Sequence, residues 1–269
     1  MQIRSLQIGI APMWDLGRTW LEMIHLCMEN ELDAVEFKYD LPFMLPDRLN
    51  TRMMKQIAKI GRERDLVLSV HAPMINIGSL LRSRWQEALD EHLNALEAAE
   101  IIGAKTFTVH LGWLEKRYAT DQYIEQCFDL SVKAIRQMQR RSGDITICVE
   151  NEPPDNPAKV KLGTRFDYLE ETLHRTGGNT GFVFDIGHAN LFGDPLDLLF
   201  RLRPERVCLS HLHDNDGKRD LHLPVGKGTL DWSAFFHNYK KLKRGFPLYI
   251  EVKDMDSLSV SLKAIACHG

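Results

Sequence analysis

Eight short runs of apolar and β-branched residues recur along the chain, and a longer segment with helical periodicity follows each of them. This alternation is typical of parallel strands joined by crossover helices. The predicted strands cover residues 6–11, 33–39, 66–71, 105–110, 145–150, 181–186, 206–212 and 247–252. Eight such strand–helix units predict an α/β fold of the (β/α)8 TIM barrel type.

A single-domain barrel over residues 1–269 is the simplest arrangement of these units, because no Pro/Gly/Ser-rich linker or low-complexity tract divides the chain. The alternative is an open, doubly wound sheet. Against it, the first strand–helix junction, residues 8–20, lacks the Gly-x-Gly-x-x-Gly turn that holds a dinucleotide. Four glycines that follow helical segments are predicted to end those helices: Gly61, Gly103, Gly143 and Gly177.

The composition, with 44% hydrophobic and 26% charged residues, is that of a soluble globular protein. A formal charge of -3 gives no general attraction to nucleic acid. The five cysteines are odd in number, widely spaced and without a Cys-x-x-Cys pair, which favours a reducing, cytoplasmic setting. No run approaches the roughly 18 apolar residues of a membrane span, so no membrane association is expected.

Histidines and carboxylates stand at the carboxyl ends of six consecutive predicted strands. Because these ends converge on one mouth of a barrel, we expect the side chains to lie close together. Imidazoles and carboxylates are ligands that Zn, Mn, Fe or Mg take up, and without a cation so many acids would repel one another. The sequence therefore predicts a metal site formed by His71, His110, Glu150, Asp185, His188, His211 and Glu251.

The segment after the seventh strand adds two donors, Asp220 and His222, on an extended loop that is expected to fold back over the mouth. His213, two residues beyond His211, is interpreted as a substrate contact or a residue behind the ligands. Two tryptophans that follow strands, Trp14 and Trp113, are candidates for an apolar wall of the pocket. The remaining histidines are expected on the surface: His25, His92, His174, His237 and His268.

Motifs at these positions resemble those of the xylose isomerase-like barrel superfamily, which includes sugar and sugar-phosphate isomerases and epimerases and the type-four apurinic endonucleases. The similarity runs from the first strand to the last, through SVHAPMINIGS, TVHLGW, CVENEP, FDIGHANL, HLHDND, DLHLPVGKGTLDW and YIEV. The ordered motifs are specific for the superfamily and leave the substrate open.

The resemblance implies two sets of ligands. Glu150, Asp185, His211 and Glu251 match the four residues with which the isomerases and epimerases hold one divalent cation. The other matching positions are those with which the endonucleases complete a trinuclear zinc cluster, in which Glu150 bridges two ions: His71, His110, His188, Asp220 and His222. The implied cofactor is thus one to three divalent ions, most simply Zn or Mn.

Two functions remain open. In the first, a metal-dependent isomerase or epimerase acts on a small carbohydrate by proton transfer through an enediolate, with Glu150 and Glu251 as catalytic acid and base. In the alternative, a multinuclear zinc phosphodiesterase acts on DNA. Two departures weigh against the second: Met74 replaces the Tyr that typically follows His-Ala-Pro in the endonucleases, and His213 breaks their His-x-Asn-Asp segment. Lyase or binding-only roles and homo-oligomerisation are further possibilities.

Overall fold

The computed structural model describes residues 6–13, 16, 19–45 and 49–268 of the chain. The strands in this part of the chain are β1 (Ile8–Ile10), β2 (Ala34–Lys38), β3 (Val67–His71), β4 (Thr106–Val109), β5 (Trp113–Glu115), β6 (Thr146–Glu150), β7 (Lys159–Lys161), β8 (Thr180–Asp185), β9 (Val207–Leu212) and β10 (Leu248–Ile250). Eight of them pair in parallel and close into a barrel in the order β1, β10, β9, β8, β6, β4, β3, β2. Each predicted run overlaps one barrel strand, so the predicted (β/α)8 fold is confirmed.

Helices pack around the barrel and connect its strands. Their bounds are α1 (Trp20–Glu29), α2 (Thr51–Glu63), α3 (Arg82–Ile102), α4 (Asp121–Gln139), α5 (Phe166–Thr176), α6 (Ile186–Asn190), α7 (Pro195–Arg201), α8 (Trp232–Tyr239) and α9 (Met255–Ala266). Side-chain caps determine where several of these helices begin. Thr19 and Glu22, for example, form a capping box in which each side chain accepts the other's backbone N–H. Of the helices in the described residues, none is long and apolar enough to cross a membrane.

The predicted helix-ending glycines have mixed outcomes. Gly103 ends α3 in the left-handed region at φ 77, as expected, and Gly177 follows α5 at φ 57. Gly143, at φ 54, lies in the turn beyond α4, whose own cap is Arg140. The prediction for Gly61 is wrong. This glycine is a buried residue inside α2, where a Cβ would come within 2.7 Å of Leu68, so close packing on β3 explains it.

A small antiparallel sheet at the rim of the barrel was not predicted. It consists of β5 and β7, with Trp113 opposite Lys161, and it joins the loop that follows β4 to the loop that follows β6. The Leu162 N–H donates to the Gly112 carbonyl and extends the contact. Each strand has only three residues, which is too short for an alternating pattern to be recognised.

The interior of the barrel is layered along the strands. Inward-facing residues form a small apolar cluster of their own, separate from the larger core between barrel and helices: Ala11, Ala34, Cys148, Val183, Leu209 and Tyr249. Side chains two positions apart on a strand point to the same side. The residues two positions after Cys148, Val183, Leu209 and Tyr249 are therefore also inward, one layer nearer the mouth, and they are Glu150, Asp185, His211 and Glu251.

His92 departs from its expected surface position. It is buried on α3, and one of its ring nitrogens, Nδ1, lies 2.7 Å from the Ala88 carbonyl of the preceding turn. Burial lowers the pKa of this imidazole to about 4. The residue is a neutral part of the packing between α3 and its neighbours, and its helical position alone did not reveal this.

Candidate metal centre

Ten side chains meet at the carboxyl-terminal mouth of the barrel. Barrel strands or the residue directly after them supply His71, His110, Glu150, Asp185, His211 and Glu251. His188 lies on α6, whose first turn is capped by Asp185. The other three, His213, Asp220 and His222, belong to the mouth loop, which we define as residues 213–231 between β9 and α8.

Glu150 occupies the middle of the arrangement. Its Oε2 lies 2.9 Å from His110 Nε2 and 3.3 Å from His71 Nε2. Its Oε1 lies 2.9 Å from His211 Nδ1, on the other side of the carboxylate. The two oxygens thus face different sets of ligands, which is the disposition of a carboxylate that bridges two ions.

The core group consists of Glu150, Asp185, His211 and Glu251. From His211 Nδ1, Asp185 Oδ2 is 3.6 Å away and Glu251 Oε2 is 3.7 Å away. Donor atoms of Asp185, His211 and Glu251 all lie within 4.8 Å of one another, and all three residues are buried. These are the residue types and the count that hold a divalent cation with mixed nitrogen and oxygen ligation.

Two further groups flank the core group. His71, His110 and Glu150 form one of them, with donor atoms within 4.8 Å of one another. The second, the loop group, combines His188 with three residues of the mouth loop, His213, Asp220 and His222, within the same limit. The structure therefore brings together all nine sequence-predicted ligands, and it adds His213 to them.

Each of the six imidazoles in these groups has one ring nitrogen near an outer partner and the other directed at a carboxylate. The outer partners are the Ala72 carbonyl for His71, Glu152 for His110, the Asn151 carbonyl for His188, Glu36 for His211, Asp185 for His213 and the Glu251 carbonyl for His222. Outer partners of this kind set the tautomer and the ring orientation of metal-binding histidines. The donor set therefore fits divalent metal ions.

The carboxylates and imidazoles strongly perturb one another. Burial alone would raise the pKa of Glu150, but His211 and the hydrogen bonds from His110, His211 and His71 hold it well below its usual range. Burial would lower the pKa of His188, but Asp185 and Asp220 raise it to about 10. The mouth thus requires positive charge, which either protons on the imidazoles or bound cations can supply.

Two residues on β2 complete the centre. Glu36 is fully buried and accepts from Thr108 Oγ1 at 2.5 Å, while its other oxygen lies 2.7 Å from His211 Nε2. Lys38, two residues further on, forms an ion pair with Glu251. Both face the interior, and the two-residue period of β2 could have placed them there, since the sequence has Ala34, Glu36 and Lys38 in alternation.

A further buried acid, Glu152, lies behind His110. Its Oε1 is 3.5 Å from His110 Nδ1 and 3.9 Å from Lys161 Nζ, whereas its Oε2 has no hydrogen-bond partner. Burial raises the pKa of this carboxyl group. In the sequence, the Glu-Asn-Glu segment at residues 150–152 was the signal that could have revealed this second acid.

A cavity of about 250 Å³ opens over the candidate ligands, and Met13, Lys38, Met74 and Lys161 contribute to its walls. Trp113 does not line this cavity. It lines the neighbouring groove with Met74, Tyr118 and Tyr123, and Lys159 Nζ lies 3.6 Å from the centroid of its ring. Trp14, the other predicted wall residue, lies outside the described residues.

Comparisons with known proteins identify the family of the chain and its fold. The family described as xylose isomerase-like TIM barrel matches residues 24–266. The uncharacterized protein MJ1311 of Methanocaldococcus jannaschii is 24% identical over 257 residues, which cover 94% of this chain and 86% of the relative.

Two solved structures show the same fold. A D-tagatose 3-epimerase-like protein has a TM-score of 0.81 and 21% identity, and the match covers 98% of this chain and 97% of the other. Endonuclease IV from Thermus thermophilus has a TM-score of 0.72 and 20% identity, with 92% and 93% covered. At such identities the likeness shows the fold alone, whereas the family match spans most of the chain. The chain belongs to the xylose isomerase-like TIM barrel family.

Proposed function

We propose that the protein is a divalent-metal-dependent isomerase or epimerase that acts on a small sugar or sugar phosphate by proton transfer through an enediolate. The observation that carries this proposal is that Glu150 and Glu251, from β6 and from the end of β10, line the same cavity of about 250 Å³. Pockets for small molecules range from about 300 to 1,000 Å³, so this cavity suits a small substrate. The likeness to sugar epimerases supports the same class.

Proton transfer at a carbon next to a carbonyl needs a base and an acid beside that carbon. Glu150 and Glu251 fill these roles: one carboxylate takes the proton from the substrate carbon and the other returns a proton. Return of the proton to the neighbouring carbon of the enediolate gives isomerisation, and return to the original carbon from the opposite face gives epimerisation. A Zn or Mn ion held by the core group would polarise the substrate oxygens and stabilise the negative charge of the enediolate.

Lys38 supports the role of Glu251. Burial would raise the pKa of Glu251, but Lys38 and His211 hold it well below its usual range. The carboxylate is therefore kept ionised at the wall of the cavity, as a base requires. Lys38 itself lines the cavity next to this carboxylate.

The second candidate is a multinuclear zinc phosphodiesterase that acts on DNA. The presence of all five additional ligands beside the core group favours it, as does the likeness to endonuclease IV. Against it, Met74 stands with 59% of its surface exposed at the cavity edge, where the endonuclease-type Tyr is expected. The overall charge of -3 also provides little attraction to a duplex.

One experiment separates the two classes. The zinc- or manganese-loaded protein is incubated with a panel of ketoses in deuterated water and, in parallel, with a duplex that contains an abasic site. The proton-transfer enzyme will incorporate deuterium at a sugar carbon. Strand incision without deuterium incorporation would replace our proposal with the phosphodiesterase.

The substitution Glu150→Gln should lower the rate of deuterium incorporation by at least about 100-fold, since an amide cannot act as acid or base. The fold should remain, and thermal unfolding together with metal content should be measured on the same sample. Glu171→Gln, at an exposed position of α5, is the matched control. Normal turnover in Glu150→Gln would contradict the assigned role.

A further inference from the structure

We propose that His213 is a fourth protein ligand in the loop group and that this group is a closed, structural zinc site. The Asn expected at this position in an endonuclease-type segment is replaced here by an imidazole. The loop group offers four donor atoms within 4.8 Å of one another, one each from His188, His213, Asp220 and His222. The proposal is independent of the reaction catalysed at the core group.

Two buried polar atoms without partners point to a ligand between them. His213 Nδ1 and Asp220 Oδ1 are both shielded from solvent and make no hydrogen bond. They lie 3.8 Å apart, too far for a hydrogen bond to each other. Buried polar groups are rarely left unsatisfied, and a cation that both atoms bind would satisfy them.

Contacts of the second ring nitrogen, Nε2, hold the His213 ring with Nδ1 facing Asp220. Its Nε2 lies 3.0 Å from Asp185 Oδ1 and 3.1 Å from Asp185 Oδ2. A proton on Nε2, donated to Asp185, leaves the lone pair on Nδ1 directed toward Asp220. Gly187 provides the space, because a Cβ at that position would overlap the His213 ring.

The remaining ligands are oriented in the same way. His188 has Nδ1 at 2.8 Å from the Asn151 carbonyl and directs Nε2 at Asp220 Oδ2, 3.5 Å away. His222 has Nδ1 at 3.3 Å from the Glu251 carbonyl and Nε2 at 3.2 Å from Asp220 Oδ2. His222 adopts φ 49, a left-handed conformation that is uncommon for such a residue.

Four protein ligands complete the coordination that zinc prefers, and sites of this kind are structural, whereas catalytic zinc sites keep one position open. An ion in the loop group would therefore leave no position for a substrate oxygen. It would connect α6 with the mouth loop. We infer that its role is to fix the mouth loop over the cavity.

The test compares wild type with His213→Asn and His213→Cys, each loaded with zinc or with cobalt. In His213→Asn we expect the affinity for one zinc ion to fall at least about 10- to 100-fold, the loss that follows removal of even an outer partner. In His213→Cys, bound cobalt should give a thiolate charge-transfer absorption that wild type lacks. His237→Asn, at an exposed position of α8, is the control.

The cysteine variant distinguishes a ligand from a residue that only packs, because the charge-transfer band requires direct contact between sulfur and metal. Unchanged zinc affinity in a folded His213→Asn protein would overturn the proposal. A cobalt-loaded His213→Cys protein without the band would also overturn it. Deuterium incorporation, measured separately, reports on the proposed function and does not decide this question.

Discussion

Glu36 shows how a buried residue outside the three groups can orient a candidate metal ligand, His211. It is fully buried, and burial would raise its pKa, but the adjacent His211 lowers it. The ionised carboxylate accepts the Nε2 proton of His211 at 2.7 Å. His211 Nδ1 is thereby left free to face Glu150, Asp185 and Glu251.

The substitution Glu36→Gln removes this charge and keeps the size of the side chain. We expect the affinity of the core group for its ion to fall about 10- to 100-fold, the range found for outer partners of metal ligands. Competition with a chelator of known affinity measures the change. Glu171→Gln provides the exposed control, and equal affinity in Glu36→Gln and wild type would refute this role.

At the scale of single residues, the sequence predicted those candidate ligands that stand at strand ends. His71, Glu150 and Asp185 could be found because the carboxyl end of every barrel strand faces the same mouth. The place of His213 in the loop group was not predicted, since it depends on the path of the mouth loop and on the room beside Gly187. Neither follows from spacing along the chain.

The mouth loop is an irregular element with a well-defined internal structure. Asp214 is buried at its start, and its carboxyl group accepts from the indole N–H of Trp232 at 2.8 Å and from backbone N–H groups of Gly226 and Leu230. An antiparallel bridge joins Asp214 to Leu223. These bonds bring Asp220 and His222 over the mouth, as the sequence predicted.

The substitution Asp214→Asn should release this loop, because one of the two acceptor oxygens is lost while its buried donors remain. The expected cost is about 1–3 kcal/mol of unfolding free energy, the usual cost of unsatisfied buried polar groups. Limited proteolysis should show faster cleavage within residues 213–231. Asp216→Asn, in the same loop and paired with Arg219 on the surface, should change little; equal effects of both would contradict the argument.

Among the elements, the barrel strands and the long helices were predictable, and the small β5–β7 sheet was not. The barrel strands are buried beneath the helices and therefore consist of apolar runs, which can be recognised in the sequence. β5 and β7 are held by a partner distant in sequence, and Trp113 and Lys161 pair across this sheet only after the barrel has placed their loops together. Local patterns carry no information about such pairing.

For the molecule as a whole, the mouth is a concentration of buried carboxylates and imidazoles whose stability depends on counter-charge. A ligand that binds only the folded state stabilises it by mass action, by about 2.7 kcal/mol at 100 times its dissociation constant. We therefore expect metal removal by a chelator to lower the unfolding temperature and added zinc or manganese to restore it.

Metal analysis of the purified, reconstituted protein should accompany this measurement and should find between one and three ions per chain. A parallel titration with Mg²⁺, which prefers oxygen ligands, serves as the comparison ion. A stoichiometry near zero, together with an unfolding temperature that does not respond to zinc or manganese, would contradict the central assignment of a metal centre.

The barrel fold could be predicted because the strand–helix alternation has few other solutions, and the family followed from the order of its motifs. The reaction could not be predicted to the same depth. Barrels of one family host different chemistries, and the size of the cavity, about 250 Å³, became known only when the mouth loop was placed.

Asp185 belongs to two neighbourhoods at once, since its Oδ2 lies 3.6 Å from His211 Nδ1 while both of its oxygens contact His213 Nε2. A cation in the core group would draw charge from Asp185 and so weaken its hydrogen bond with His213. A cation in the loop group would act on Asp185 through His213, and thereby on the core group. Such linkage is reciprocal: each ion changes the affinity for the other by the same factor. The two ions would then load as a thermodynamically coupled pair, so the affinity measured for one ion would depend on whether the other is bound.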